Sequence, residues 1–166
     1  MEITIKTFVL MGSVILTGLS AGLFYAWSVS VIPGTLNLSD TSYLETMQSI
    51  NRAILNPVFY FIFFGSFIFL GLGSIFQYAA YKPTFWLILS AALIYLTGTI
   101  GVTALGNVPL NNQLDVMNLN AMGKDKLASF RTFYESGWNQ LHLYRTVFAI
   151  ISFILSAIAL GLSTKY

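Results

Sequence analysis

The chain has no cysteine, a single histidine, four prolines and few charges among its 166 residues. Without cysteine there is no disulfide, no thiol nucleophile and no thiolate metal site. One histidine leaves too little for a histidine-rich zinc, iron or copper centre, which would need ligands from several chains or an oxygen-rich set. Neither a metal nor a bound cofactor is therefore expected. Charged residues make up 8% of the chain, against roughly 25% in a soluble domain. So little charge cannot cover a folded surface in water, and a lipid bilayer is the partner that the composition points to. The net charge of +2 is small and no basic tract accompanies it, which argues against nucleic acid. There is no nucleotide-binding loop and no hydrolase elbow, and no acid falls within an apolar run to form a carboxylate pair.

What the chain does have is hydrophobic length: 56% of it is hydrophobic and 16% aromatic. Four apolar runs occupy about Phe8 to Ile32, Val58 to Ala80, Thr84 to Leu105 and Leu143 to Leu162. About 20 apolar residues cross a hydrocarbon core as a helix. The first three runs reach that length without a charge, and the fourth carries Arg145 near its start. The first run follows Lys6 but is too long for the core of a signal peptide, and no small-residue cleavage site follows it. It is read as a span. The predicted fold is all-α: an integral membrane four-helix bundle, residues 1–166 forming one domain, with the cell (inner) membrane as the expected location.

The links between the runs are unequal. Tyr81-Lys82-Pro83 is tight and makes the second and third spans antiparallel neighbours. Residues 33–57 and 106–142 are long links, and with four spans both lie opposite the chain ends. Each is expected to hold a short helix over the bundle mouth or on the bilayer interface. Ser39-Asp40-Thr41 is an N-cap signal, followed by Leu44, Met47, Ile50, Ile54 and Leu55 at helical spacing. Lys124 to Tyr134 is helix-like, with Leu127, Phe130 and Phe133 on one side. Gly106-Asn107 reads as a helix stop, leaving an extended segment around Pro109. Gly18 and Gly22, four apart, permit close approach of another helix, within the chain or in a dimer. Lys6, Lys82 and Lys165 mark the terminal side, and Arg52, Lys124, Lys126, Arg131 and Arg145 the long-link side. If Arg52 and Arg145 belong to a pocket, the two sides are equal and the charges assign no orientation.

The polar residues gather in three places: Asn51-Arg52 to Asn56-Pro57, Asn107 to Asn112, and Trp138 to Arg145. The span count puts all three at one end of the bundle, as one polar pocket. Trp138, His142 and Arg145 follow an i, i+4, i+7 spacing, and Asn139 stands three before His142, so they share a helix face. An imidazole moves protons near neutral pH, and a guanidinium stabilises an oxyanion. His142 and Arg145 are the candidate catalytic residues. Asn51, Arg52, Asn107, Asn111, Trp138 and Asn139 are candidate substrate-binding residues, with Trp138 as a stacking plane. Interfacial anchoring explains Trp138, Tyr144 and Arg145 equally well. Arg52 needs a partner such as Glu45, Glu135, a backbone carbonyl or a ligand oxygen. Asn56 is the expected cap of the second span. Tyr25 and Ser28 lie near the pocket end of the first span, where Trp27 suits an aromatic belt. Phe59 to Phe69 are assigned to packing and lipid contact.

Gly22-Leu23-Phe24-Tyr25-Ala26-Trp27-Ser28 before Pro33, Met47 to Arg52 with Asn56-Pro57, Gly106 to Asn111, and Trp138-Asn139 with His142 and Arg145 resemble, in this order, the anthrone oxygenase-like family over nearly the whole chain. The resemblance implies a four-span helical membrane domain. It also implies likeness to fungal enzymes that oxidise polyketide anthrones to anthraquinones with molecular oxygen and no bound cofactor. Three functions fit such a pocket. One is a cofactor-independent oxygenase of an anthrone-like or other hydroxylated aromatic substrate, with His142 as proton acceptor. Another is a non-catalytic binder of a lipid or a planar, quinone-like molecule. The third is a structural or partner-binding membrane protein whose polar clusters pin the long links.

Overall fold

The computed structural model of the protein describes residues 4–163. Lys165, counted above with the terminal side, lies outside the described residues. Among the described residues there are five helices and no strand: α1 (Ile5–Thr35), α2 (Asp40–Ala53), α3 (Pro57–Tyr78), α4 (Lys82–Asp115) and α5 (Lys124–Ser163). All but α2 are long and apolar enough to cross a membrane. The long helices form a membrane helical bundle in which α1 packs on α3 and α5, and α4 packs on the same two.

Local chemistry sets most of the helix starts. Thr4, Ser39 and Asn56 each accept a backbone N–H from three residues on, capping α1, α2 and α3. Pro57 opens α3 and Pro83 is the second residue of α4, positions whose N–H would lack a partner anyway. The other two prolines depart from expectation. Pro33 and Pro109 lie inside α1 and α4, each just after a run of wide π-helical turns, Trp27–Val31 and Thr103–Asn107. A proline ring clashes with the carbonyl four residues back, here Val29 or Leu105. Both carbonyls belong to the wide turns, where bonding five residues apart gives the ring room.

The expected stop at Gly106-Asn107 is therefore absent, and α4 continues to Asp115. The extended segment expected around Pro109 is helical. Similarly, the short helix expected over Lys124 to Tyr134 and the fourth span are one unbroken helix of 40 residues. The long link of 106–142 shrinks to a connection between Asp115 and Lys124, holding one 3₁₀ turn at Leu119–Ala121. On the first stretch of α5, Tyr134 rather than Phe133 turns inward: Tyr134 is fully buried and Phe133 is exposed.

The mid-bundle core includes Leu10, Leu70, Ile88, Tyr95, Ala149 and Ala159. Small hydroxyl residues tie the helices together: Ser20 to Tyr95 at 2.7 Å, Thr17 to Ser156 at 3.2 Å, and Ser152 donating to the Ala91 carbonyl at 3.0 Å. A side chain at Gly98 would strike the Phe148 ring, and one at Gly106 would strike Leu141, so these two glycines set the close approach of α4 to α5. Gly18 backs onto Phe153 of α5, whereas Gly22 faces open space. The close approach at Gly18 is thus within the chain.

A second core lies at the end where the polar clusters meet. Tyr43, Leu44 and Met47 of α2 pack with Leu114, Leu119, Leu127, Tyr134 and Trp138. Gln48 donates to the Leu114 and Met117 carbonyls at 2.8 and 3.1 Å, closing the end of α4. Arg131 locks the connection before α2, donating to the Leu36 and Leu38 carbonyls, to Asp40 at 3.2 Å and to Glu135 at 2.9 Å. Its guanidinium also lies 4.6 Å from the Tyr43 ring centre. Burial, with the Glu135 carboxylate adding to it, pushes the Tyr43 hydroxyl well above the ordinary tyrosine range. Removing a charged group with several partners in a largely buried setting costs about 2–4 kcal/mol. Arg131→Ala is expected to lower the melting temperature in detergent clearly. Arg52→Ala, which breaks an exposed pair with Asp115, is expected to change stability by less than about 1 kcal/mol. Equal melting shifts for the two variants would show that α2 is not held by the Arg131 knot.

Candidate functional site

An apolar cavity of about 360 Å³ opens at the α2 end of the bundle, lined by every helix. Such a volume is within the range of small-molecule sites, roughly 300–1,000 Å³. Its polar lining comes from Asn51 of α2, Thr103 and Asn111 of α4, and His142 and Arg145 of α5. All five are buried or half-buried.

Arg145 and His142, three apart on α5, form the floor. Arg145 is 8% exposed and His142 1%. The guanidinium donates to His142 Nδ1 from Nε at 3.1 Å and from Nη2 at 3.0 Å, and to Thr103 Oγ1 from Nη1 at a long 3.5 Å. Its carbon lies 4.7 Å from the Phe24 ring centre and 5.0 Å from that of Trp138. None of the salt bridges among the described residues includes Arg145. A buried guanidinium held by neutral groups keeps its positive charge uncompensated and attracts an anionic oxygen.

The partners also fix the imidazole. A guanidinium only donates, so Nδ1 carries the lone pair; a carbonyl only accepts, so the proton sits on Nε2. Nε2 lies 3.1 Å from the Phe24 carbonyl and 3.0 Å from Ser28 Oγ. Ser28 belongs to the wide turn Trp27–Val31, and its hydroxyl donates to the Phe24 carbonyl at 3.1 Å. Thr146 donates to the His142 carbonyl at 2.7 Å and secures the helix behind the ring.

Trp138 stacks on His142 with ring centres 5.0 Å apart and planes 10° apart, and Trp27 tilts against it at 5.5 Å. The indole is thus part of a built stack. Its Nε1–H donates to Asn111 Oδ1 at 2.9 Å, and the Tyr134 hydroxyl donates to the same oxygen at 3.0 Å. Because an indole can only donate, Asn111 must turn its oxygen toward Trp138 and Tyr134, leaving its NH₂ as a donor. Asn51 donates through Nδ2 to the Tyr134 hydroxyl at 3.0 Å, leaving its carbonyl as an acceptor. Two amides held in opposite polarity thus belong to the lining that also includes the cation.

The structure brings together Asn51, Asn111, Trp138, His142 and Arg145 around the cavity. Asn107 lies behind it: 1% exposed, it donates to the Trp138 carbonyl at 3.3 Å, and its Oδ1 has no partner. Asn139 is half-buried and does not line the cavity. Arg52 stands apart on the outer surface, where it pairs at 2.6 Å with Asp115, rather than with Glu45 or Glu135. Tyr25 is 56% exposed and is not a lining residue.

Several residues were missed. Phe59, Phe63 and Phe64, assigned by sequence to packing and lipid contact, line the cavity, as do Tyr60, Trp27 and Thr103. The overlooked signal was positional: residues just after Asn56-Pro57 must lie at the same bundle end as the polar clusters. Tyr134, the bridge between Asn51 and Asn111, was hidden because its inward direction depends on α5 being continuous.

Fold and site together define an integral membrane helical protein with an arginine–histidine pair buried at the floor of an apolar cavity. The chain belongs to the anthrone oxygenase family, whose model matches residues 58–155. That segment carries the α3 phenylalanines, Asn107, Asn111, Trp138, His142 and Arg145. Gly22 to Ser28 and Met47 to Arg52 lie before it, so the match is narrower than the resemblance read over nearly the whole chain. No curated protein and no solved structure matches the chain.

If Arg145 serves a ligand rather than the fold, replacing it by an apolar side chain of similar length is tolerated. Arg145→Met is expected to change stability by less than about 2 kcal/mol, since a buried charge adds little net stability. A loss of about 3–5 kcal/mol in thermal or denaturant unfolding, the usual result of breaking a buried pair, would assign the cation to structure.

Proposed function

We propose that the protein is a cofactor-independent membrane oxygenase, resident in the cell membrane, acting on an anthrone-like or other hydroxylated aromatic substrate. The observation that carries this reading is Arg145: a buried cation without a carboxylate, held against a histidine at the floor of an apolar, aromatic cavity. Family membership supports it at the level of oxygenase-like chemistry.

The substrate's rings lie among Trp27, Phe59 and Phe63. Its carbonyl oxygen takes the Arg145 guanidinium and the Asn111 NH₂, and a ring hydroxyl donates to the Asn51 carbonyl. Drawing the guanidinium onto the substrate frees the lone pair of His142 Nδ1. That nitrogen removes a proton from the acidic ring methylene, while Nε2–H stays on the Phe24 carbonyl. Arg145 stabilises the resulting enolate, as fixed donors do for developing oxyanions. The electron-rich carbon reacts with molecular oxygen, forming a carbon–oxygen bond and a peroxide anion, which takes back the proton from the imidazolium. Removal of the second methylene proton by Nδ1 expels hydroxide as the oxygen–oxygen bond breaks, and the carbon becomes a carbonyl. Hydroxide and the proton leave as water. One oxygen atom ends in the quinone and one in water, so the four-electron oxidation of CH₂ to C=O matches the four-electron reduction of oxygen.

A second reading has its own support. Both imidazole nitrogens are already engaged, Nδ1 by Arg145 and Nε2 by Phe24 and Ser28. That pattern also suits a non-catalytic site that holds a quinone-like molecule through the cation and the two amides.

Oxygen uptake by the detergent-purified protein with a hydroxylated anthrone separates the two. The oxygenase reading expects uptake in the native protein and a fall of about 10²–10⁴-fold in His142→Ala, the usual contribution of a positioned proton acceptor. Equal uptake in both would remove His142 as the base. No uptake in either, together with quenching of tryptophan fluorescence by 1,8-dihydroxyanthraquinone, would favour the binder.

A further inference from the structure

The cavity's polar groups are all inside, and its exposed lining is apolar or aromatic. Of the lining residues, those that are exposed are Leu23, Leu55, Tyr60, Phe64, Ala104 and Val108. Tyr60 and Phe64 are four apart on α3, and Ala104 and Val108 four apart on α4, so each pair forms one edge of a gap. These helices are antiparallel neighbours joined at Tyr78–Lys82, and they pack along Lys82–Ile94. Beyond Ile94 their contact fades, although α4 keeps packing against α5. The point of divergence is where α4 changes: wide turns run through Tyr95–Gly101 and Thr103–Asn107. Gly98 and Gly106 draw this stretch onto α5 and away from α3.

We infer that this gap is a side portal through which an apolar ligand enters the cavity from the bilayer rather than from water. The inference rests on the cavity being the ligand site. Its depth follows from the helix rise: at 1.5 Å per residue, Phe64 and Tyr60 lie roughly 21 and 27 Å along α3 from Tyr78, and Ala104 and Val108 roughly 33 and 39 Å along α4 from Lys82. With the Tyr78–Lys82 turn at one face of a hydrocarbon core about 30 Å thick, the α3 edge lies within the far leaflet and the α4 edge at the level of its headgroups. Arg52 and Asp115, both exposed, lie beyond it, outside the hydrocarbon core. A planar aromatic dissolved among the chains meets Phe64 and Tyr60 first. It then meets Phe63 and Trp27, and the cation only at the floor. Entry from lipid spares the apolar rings a passage through water.

Tryptophan quenching in vesicles tests the portal without needing turnover. Trp86, 61% exposed on the outside of α4, is first replaced by Phe, leaving Trp27 and Trp138 at the cavity. Vesicles of phosphatidylcholine brominated on its acyl chains supply one quencher and aqueous acrylamide the other. The expected result is quenching by the brominated chains, little by acrylamide, and loss of chain quenching in Ala104→Phe. Val108→Phe closes the same edge and is a second test should the first variant fold poorly. Quenching by acrylamide without quenching by the chains, or chain quenching unchanged by either plug, overturns the portal. Anthrone oxygen uptake, measured on the same vesicles, reports separately on the oxygenase: chain quenching that the plugs abolish, without uptake, leaves the portal standing and removes the reaction.

Discussion

The buried guanidinium of Arg145 is the constraint around which this end of the molecule is arranged. A positive charge inside a membrane helix bundle is costly unless it finds acceptors. This one finds only His142 Nδ1, a long contact to Thr103, and the faces of Phe24 and Trp138. Each of those is in turn held from elsewhere. Phe24 and Ser28 of α1 hold the far imidazole nitrogen, and Asn111 of α4 holds the indole. Tyr134 links Asn111 to Asn51 on α2. The cation is therefore supported on every side without being neutralised, and an unneutralised buried charge is a standing demand for an anionic partner.

The wide turns in α1 and α4 connect that site to the backbone. Two of the three runs, Trp27–Val31 and Thr103–Asn107, occur beside the internal prolines, and the wide turns do more than relieve a clash. In α1 the wide turn begins at Trp27 and contains Ser28, so it aims both at α5. In α4 the wide turns supply Ile100, Thr103 and Ala104 to the cavity wall and separate the helix from α3. The location of wide turns at such sites is a general tendency, and here two of the runs precede a proline and the α4 runs contain Gly98 and Gly106, which abut α5.

Much of the frame was legible in the sequence. Scarce charge and four apolar runs fix a membrane helical protein, because hydropathy sums over local residues. Ser39 and Asn56 announce the starts of α2 and α3, because a cap is a bond across three residues. The i, i+4, i+7 spacing groups Trp138, His142 and Arg145 on one face, because helix geometry is also local. Counting spans brings Asn51 and Asn111 to the same end.

Tertiary structure decided what the residue types could not. Arg52 and Arg145 are both arginines beside apolar runs, yet one pairs with Asp115 on the surface and the other is buried beside His142. The neighbouring His142 is visible beside Arg145 in the sequence, but Asp115, the partner of Arg52, is far away and no local pattern announces that pair. The stop expected at Gly106-Asn107 failed because wide turns and packing on α5 override local propensity. The phenylalanines of α3 line a cavity rather than only face lipid because α4 diverges from them, a relation between helices that no single run encodes. The sequence by itself determined the solvent, the spans and the set of chemical groups at one end, all consequences of short-range pattern. Which of those groups meet, which stay apart, and where the cavity opens depended on contacts between distant segments, and only the folded bundle sets those.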